Sequence, residues 1–255
     1  MVINTYNESN LHLALKKLYA LEFNGRMEVR LDDTDWICDI IDEDGNAIEI
    51  QTANLSALTE KVEYLLKTGR KVKIVHSILV EKYIELYDGQ GKLVSRKKSP
   101  KKATIYDSLR GMTKICPLLT EENCTLEILF VKIAEMRRLT EEPVQLENKS
   151  RKHLKTWVPI GKRLEDIISK KRMNAEDFLE LTCLDYSQNF RKCDVQKAIK
   201  NARNAKTARW APILVWILLK MNLIQIVEEK GRSKIYSASS SFKASSRFAI
   251  SSCAD

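Results

Sequence analysis

The chain has 255 residues, 44% of them hydrophobic, and carries 43 Lys and Arg against 34 Asp and Glu, a formal charge of +9. That length suffices for one substantial core and a smaller one, so one or two domains are expected, and two fit the pattern better. Lys220, Asn222 and Pro212 interrupt the longest apolar run, APILVWILLKMNLIQIV, which falls short of the about 18 apolar residues of a membrane span and excludes one.

The opening MVINTYNESN lacks a basic segment followed by an apolar one, so a soluble, cytoplasmic protein is expected. The cysteines are scattered without CxxC spacing, and His12, His76 and His153 lie far apart. Both facts argue for reduced thiols and against zinc. The excess positive charge points to a polyanionic partner.

ESNLHLALKKLYALEF repeats apolar residues at Leu11, Leu15 and Leu18 beside Ala14, an amphipathic helix opened by the Asn7/Ser9 region. The period then changes to two. MEVRLDDTDWICDIID and AIEIQT flank EDGN, whose Asp-Gly pair predicts a tight hairpin turn. SALTEKVEYLLKTG returns to helical spacing and stops at Gly69. KVKIVHSILV reads as a strand and KYIELYDGQGKLVSR as a second hairpin. Helix, strand pair, helix, strand, strand pair predicts an α/β (α+β) fold with a mixed sheet.

A basic loop, RKKSPKK, follows; TIYDSLRGMTKICPLL then reads as helix and CTLEILFVKIAEMRRL as strand. The polar stretch after Thr140 suggests a linker at 146–160, closing a first domain at 1–145. GKRLEDIISKKR, NAEDFLELTCL, KCDVQKAIKNA and KTARWAPILVWILLKMN read as short helices, and LIQIVEEKGRSKIYSA as two β-runs. Residues 161–238 are therefore expected to form a winged-helix-like domain, with a Ser-rich tail at 239–255.

Strand alternation puts Ala47, Glu49 and Gln51 on one face, and Ile37, Asp39 and Ile41 on one face of the partner strand. Glu49 and Gln51 are then about 6.5–7 Å apart at Cα, a gap that a hydrated divalent ion bridges. Asp39 would complete an oxygen-lined cup. Two carboxylates suit Mg²⁺ or Mn²⁺, the hard cation that phosphodiester hydrolysis needs. Gln51 cannot act as a base and would orient water or phosphate. Polar residues on the wet side of a hairpin are the alternative.

LHLALKKLYA, DWICDIIDEDGNAIEIQTANLSALTEKVEYLLKTGRKVKIVHSI and SRKKSPKK together resemble a bacterial family of restriction-endonuclease-like proteins in the PD-(D/E)XK superfamily, in the variant whose last motif residue is Gln rather than Lys. The resemblance runs from Glu8 to Leu139 and implies a four-stranded mixed core sheet flanked by helices. It further implies Asp39 and Glu49 as metal ligands, Gln51 in the lysine's place and Glu8 as an auxiliary acid on the first helix. The activity it implies is a metal-dependent endonuclease on double-stranded DNA, and cutting both strands favours a homodimer. Cys38 stands where the motif has proline. The missing lysine keeps open a catalytically inactive DNA-binding regulatory protein on the same fold.

His12 and Lys16 would share a helix side with Glu8. Asp32, Asp33 and Asp35 read as loop or strand entry. Arg96, Lys97, Lys98, Lys101 and Lys102 surround Pro100 in a loop suited to phosphate contacts. Lys206, Thr207 and Arg209 would begin a recognition helix, with Lys230, Arg232 and Lys234 on the wing. Trp210, Trp216 and the nearby Leu/Ile series read as the core of that small domain.

Overall fold

The computed structural model describes residues 10–32, 34–146, 154–231 and 233–239, with only the backbone of Lys230. Glu8, Asp33, Arg232, residues 147–153 of the expected linker and the Ser-rich stretch from 240 lie outside the described residues.

Helix α1 (Asn10–Glu22) buries Leu11, Leu15 and Tyr19, as its spacing predicts, and Lys16 with them. Strands β1 (Arg26–Arg30), β2 (Ile37–Ile41) and β3 (Ala47–Gln51) follow. The stretch from Met27 to Asp42, read as one strand, is two. Asp and Thr at 32–35 suit a turn rather than a pleated ladder, and Leu31 N closes it on Trp36 O at 3.0 Å. Gly45, at φ +81°, makes the β2–β3 hairpin turn that the Asp-Gly pair predicts.

Asn54 accepts from Ser56 N and caps a 3₁₀ turn, Leu55–Leu58. That turn feeds α2 (Thr59–Lys67). The helix ends at Gly69, whose φ of +79° suits a C-terminal glycine. The next two predicted strands are one, β4 (Val72–Tyr87), and β5 (Leu93–Lys98) folds back on its second half. A short helix α3 (Leu109–Met112) lies between 3₁₀ turns at Ile105–Ser108 and Cys116–Thr120. Strand β6 (Cys124–Val144) pairs parallel with β4 and antiparallel with β7 (Lys155–Met173).

Strand β7 departs most from the sequence reading, which placed linker and helix there. Its Leu164 and Ile167 are three apart, a helical interval, yet both pack under α1. Register shifts beside Val131 and Ile133 of β6 account for this. Each bulge adds a residue to β7, and the strict period of two is lost.

The result is a mixed α+β fold. Its sheet has seven strands in the order β1-β2-β3-β4-β6-β7, with β5 also on β4. Strands β3, β4 and β6 are parallel and the other pairs antiparallel. Helix α1 covers Ile40, Ile48, Ile50 and Val75 on one face. The opposite face, with Ala47, Ile74 and Ile128, lies under α2 and α3.

After β7 come α4 (Ala175–Glu180), β8 (Phe190–Arg191), α5 (Lys192–Ala202), α6 (Ala205–Ala208), α7 (Ala211–Lys220), β9 (Ile224–Lys230) and β10 (Ser233–Ala238). The last strands form a small sheet, β8-β10-β9. Leu214 and Leu218 of α7 join Leu109 and Met112 of α3 in one core with the large sheet. The C-terminal helices thus share the core of the large sheet. No helix among the described residues is long and apolar enough to cross a membrane.

Candidate active site

Strands β2 and β3 pair only at Ile40–Ile48 and Ile41–Ala47. Beyond that point the Asp39 carboxylate replaces a backbone acceptor: Ile50 N donates to its Oδ2 at 2.9 Å. On the other side, Glu28 sits at φ +55° and the β1–β2 ladder skips the Glu28–Asp39 pair. Local twist therefore breaks alternation at Asp39. Cys38 packs with the α2-side core and Ile40 with the α1-side core, so the expected common face of Ile37, Asp39 and Ile41 does not form.

The break turns Asp39 toward α1. His12 Nε2 lies 3.4 Å from Oδ2 and donates to Ile50 O at 2.8 Å. A carbonyl only accepts, so Nε2 carries a proton. Lys16 Nζ donates to Glu28 Oε1 at 2.9 Å and stands 3.7 Å from Asp39 Oδ1. Burial alone would raise the Asp39 pKa. His12, the Ile50 amide and Lys61 outweigh it and hold the carboxyl below its ordinary range.

Glu49 faces the other way, toward α2, and is 0% exposed. Lys61 Nζ donates to its Oε2 at 2.6 Å and to Ile37 O at 3.0 Å. Its Oε1 is buried without a hydrogen bond of ordinary geometry, the Cys38 thiol standing beside the carboxyl. Burial pushes the carboxyl up to about 7, the Asp39 charge adds to that rise, and Lys61 opposes it. An orphaned buried carboxylate oxygen is costly and marks a place where a cation or donor would be stabilised.

Lys61 was missed by the sequence reading, although a signal exists. Leu58, Lys61, Val62 and Leu65 follow the i, i+3, i+4, i+7 stripe of a helix that buries its apolar side, and a lysine on such a stripe needs a buried partner. Gln51 departs from its expected place. Its Oε1 folds back to accept from Ala53 N at 3.2 Å instead of joining Glu49. Its backbone O accepts from His76 Nδ1 at 2.6 Å, while His76 Nε2 accepts from Ser108 Oγ at 2.8 Å. Burial holds His76 below its ordinary pKa. The neutral ring ties the end of β3 to the entry of α3.

The basic run is not a loop throughout. Arg96, Lys97 and Lys98 belong to β5. Arg96 donates to Glu165 Oε2 at 2.8 Å and also binds Glu85, and Lys98 Nζ lies 2.8 Å from Glu81 Oε2. Lys97, Lys101 and Lys102 are exposed. Thr207 is buried and donates from Oγ1 to the Asn204 cap, and Arg209 lies 3.9 Å from Asp107. Lys206 is exposed; Lys230 ends β9, and Lys234 pairs with Glu229 at 2.7 Å.

Asp39 and Glu49, with the Asp39 carboxylate already bonded and the Glu49 Oε1 open, offer hard oxygen donors of the kind that Mg²⁺ or Mn²⁺ accepts in ones and twos. Among the described residues no group of three or more His, Cys, Asp or Glu is arranged to hold a metal. Asp39 is held from the α1 side and Glu49 from the α2 side, so one of the two carboxyls must turn before both can meet a single ion, completed by water and ligand oxygens.

A curated relative, an "Uncharacterized protein" of Treponema pallidum (strain Nichols), is 32% identical over 131 residues, 51% of this chain and 51% of its own length. The chain thus spans about half the length of that relative. No solved structure matches the chain. Residues 9–174 match the family described as "Domain of unknown function (DUF8091)", a span that runs from α1 to the end of β7 and holds every residue of the Asp39–Glu49 site described above, and the chain belongs to that family.

Proposed function

We propose that the protein is a metal-dependent endonuclease of the PD-(D/E)XK type acting on double-stranded DNA. The observation that carries this reading is the pair Asp39 and Glu49 at the point where β2 and β3 part, with Glu49 Oε1 unsatisfied and a lysine on the same carboxylate. With one of the two carboxyls turned to the side of the other, Asp39 and Glu49 would hold Mg²⁺ or Mn²⁺. Such an ion, when bound, supplies charge for the phosphate and acidifies an attacking water.

The chain's own residues divide the remaining work. His12 and the Ile50 amide keep Asp39 ionised, whereas Glu49 sits near neutrality. Two carboxyls pushed apart in this way suit one fixed ligand and one group that exchanges a proton for a cation. Lys61 has three N–H donors and uses two, on Glu49 and Ile37. The third is available to a phosphate oxygen, the task given to the lysine of the superfamily motif. Gln51 borders the site at the end of β3.

Beyond β7, the order α4, β8, α5, α6–α7, β9, β10 and the sheet order β8-β10-β9 support a winged-helix-like unit that holds DNA. A cytoplasmic location and a homodimer that cuts both strands accord with the reading.

The test is cleavage of a mixed duplex pool with Mg²⁺, Mn²⁺ or EDTA, by wild type, Asp39→Ala and Glu49→Ala, with circular dichroism to verify the fold. Cutting that needs the ion and is lost in both variants is the expected result. Unchanged cutting in both variants sinks the assignment. A chain that binds duplex but cuts none with either ion is instead the inactive DNA-binding protein.

A further inference from the structure

Helix α7 is a poor reader of bases. It buries Leu214, Val215, Ile217 and Leu218, and half-buries Ile213 and Leu219. Beyond its first residues it exposes Trp216 and Lys220. A helix that is apolar on all sides belongs to an interior, and this one closes the core against α3. It cannot leave that core to enter a groove.

Helix α5 is built the opposite way. Val195 and Ile199 face inward, while Gln196, Lys197, Lys200 and Asn201 are exposed. At about 100° per residue these four fall within an arc of about 140°. The turn into α6 extends the surface with Asn204 and Lys206. Between Arg191 and Arg209 seven cations stand against one acid, Asp194. That acid is engaged as a cap, its Oδ2 accepting from Arg191 N at 2.8 Å.

What sets four of these cations, all lysines, apart is the lack of an ion pair among the described residues. Arg96 and Lys98 on β5 are held by Glu85, Glu165 and Glu81. Lys192, Lys197, Lys200 and Lys206 make no ion pair among the described residues. Unpaired lysines release condensed counterions when they meet phosphates. The interleaved Gln196 and Asn201 amides are the groups that pair bidentately with an adenine edge.

We propose that the exposed face of α5, continued by the turn into α6, is the surface that docks in the major groove of double-stranded DNA, in place of α7. The helix has 11 residues, about 16 Å at 1.5 Å each, and the B-form major groove is about 12 Å wide and admits a helix. The proposal rests on DNA as the ligand but not on cleavage.

The experiment measures binding of the full chain to a labelled 30-base-pair duplex by fluorescence anisotropy in EDTA, where cutting is not in play, across a salt series. Lys197→Gln/Lys200→Gln is compared with Lys17→Gln/Lys92→Gln, an equal loss of charge at exposed sites on α1 and the β4–β5 turn. The first pair should weaken binding about 10-fold or more and flatten the log–log salt slope by about 1.8, two contacts at about 0.9 each. The second should do much less. Equal effects of the two pairs overturn the proposal, as does a chain that binds no duplex. Duplex RNA should compete poorly, because its deep, narrow major groove excludes a helix. Equal competition by RNA means binding by charge alone and also overturns it. Loss of cleavage in Asp39→Ala with binding intact leaves the proposal standing.

Discussion

The unusual state of Glu49 has a measurable consequence for stability. Its carboxyl is ordinarily near 4.5 and burial pushes it up to about 7 in the fold. Between those values the folded chain holds a proton that the unfolded chain has released. Stability therefore falls as pH rises through this window, by about 3 kcal/mol in total at 1.36 kcal/mol per unit. For a chain of this size that is about 6–12 °C in the unfolding midpoint. Asp39 acts in the opposite sense and elsewhere: its depressed value loses stability only as pH falls below its ordinary 3.8. Burial also holds His76 below its ordinary pKa, so wild type must be compared with Glu49→Gln, in which the His76 contribution cancels. Urea unfolding of both proteins in EDTA from pH 5 to 8 should show wild type losing about 3 kcal/mol relative to the variant. Adding Mg²⁺ at pH 8 should restore wild type and leave Glu49→Gln unmoved, since a cation that binds only the folded, ionised site stabilises by mass action. A wild-type-minus-variant difference flat within about 0.5 kcal/mol across that range would refute the argument, because it would mean that Lys61 fully compensates the burial of Glu49.

Much of this architecture was legible in the residues. The α1 stripe, the Asp44-Gly45 turn, the stop at Gly69, strand β6 and the final β-pair follow local rules and form as predicted. The rest depended on what no local pattern carries. Two bulges converted β7 into a helix-like spacing, and the twist at Glu28 turned Asp39 off the face that strict alternation assigns to it. The candidate site was half legible. Asp39, Glu49 and Gln51 stand out by type and spacing, but strand alternation does not foresee the Gln51 amide folding back onto Ala53. Lys61 lies twelve residues after Glu49 on another element and meets it only when α2 packs on the sheet. Helix α7 is a different case: its Leu/Ile series reads as core and is buried, while the recognition-helix reading rests on Lys206, Thr207 and Arg209 ahead of it.

Three further outcomes follow from particular contacts. Arg96→Ala should lower the unfolding midpoint, because Arg96 helps hold Glu85, a carboxylate whose side chain is 2% exposed, whereas Lys97→Ala should leave it unchanged; equal midpoints by differential scanning fluorimetry count against the network. Leu214→Ala should cost about 2–5 kcal/mol, and urea unfolding followed by tryptophan fluorescence and by circular dichroism should give coincident transitions, since Leu214 belongs to the same core as the sheet; two separated transitions would show that the C-terminal unit folds apart. The last concerns which residue would serve as the lysine of the proposed endonuclease motif. Lys61 touches Glu49 and has a donor to spare, whereas the Gln51 amide is folded onto Ala53. Removing the amine in Lys61→Gln should therefore slow cleavage about 100-fold or more, the scale of a positioned charged or proton-transferring group. Gln51→Ala should slow it less than about 10-fold on the same scale. Residue 51 lies two positions beyond Glu49 on the same strand, and a lysine there is long enough to turn back to that carboxylate. Gln51→Lys added to Lys61→Gln should then recover part of the lost rate, because the same charge reaches the same oxygen from the strand instead of the helix. Full activity in Lys61→Gln, or its loss in Gln51→Ala, reverses the assignment and leaves Lys61 as a buried counter-ion for Glu49 alone.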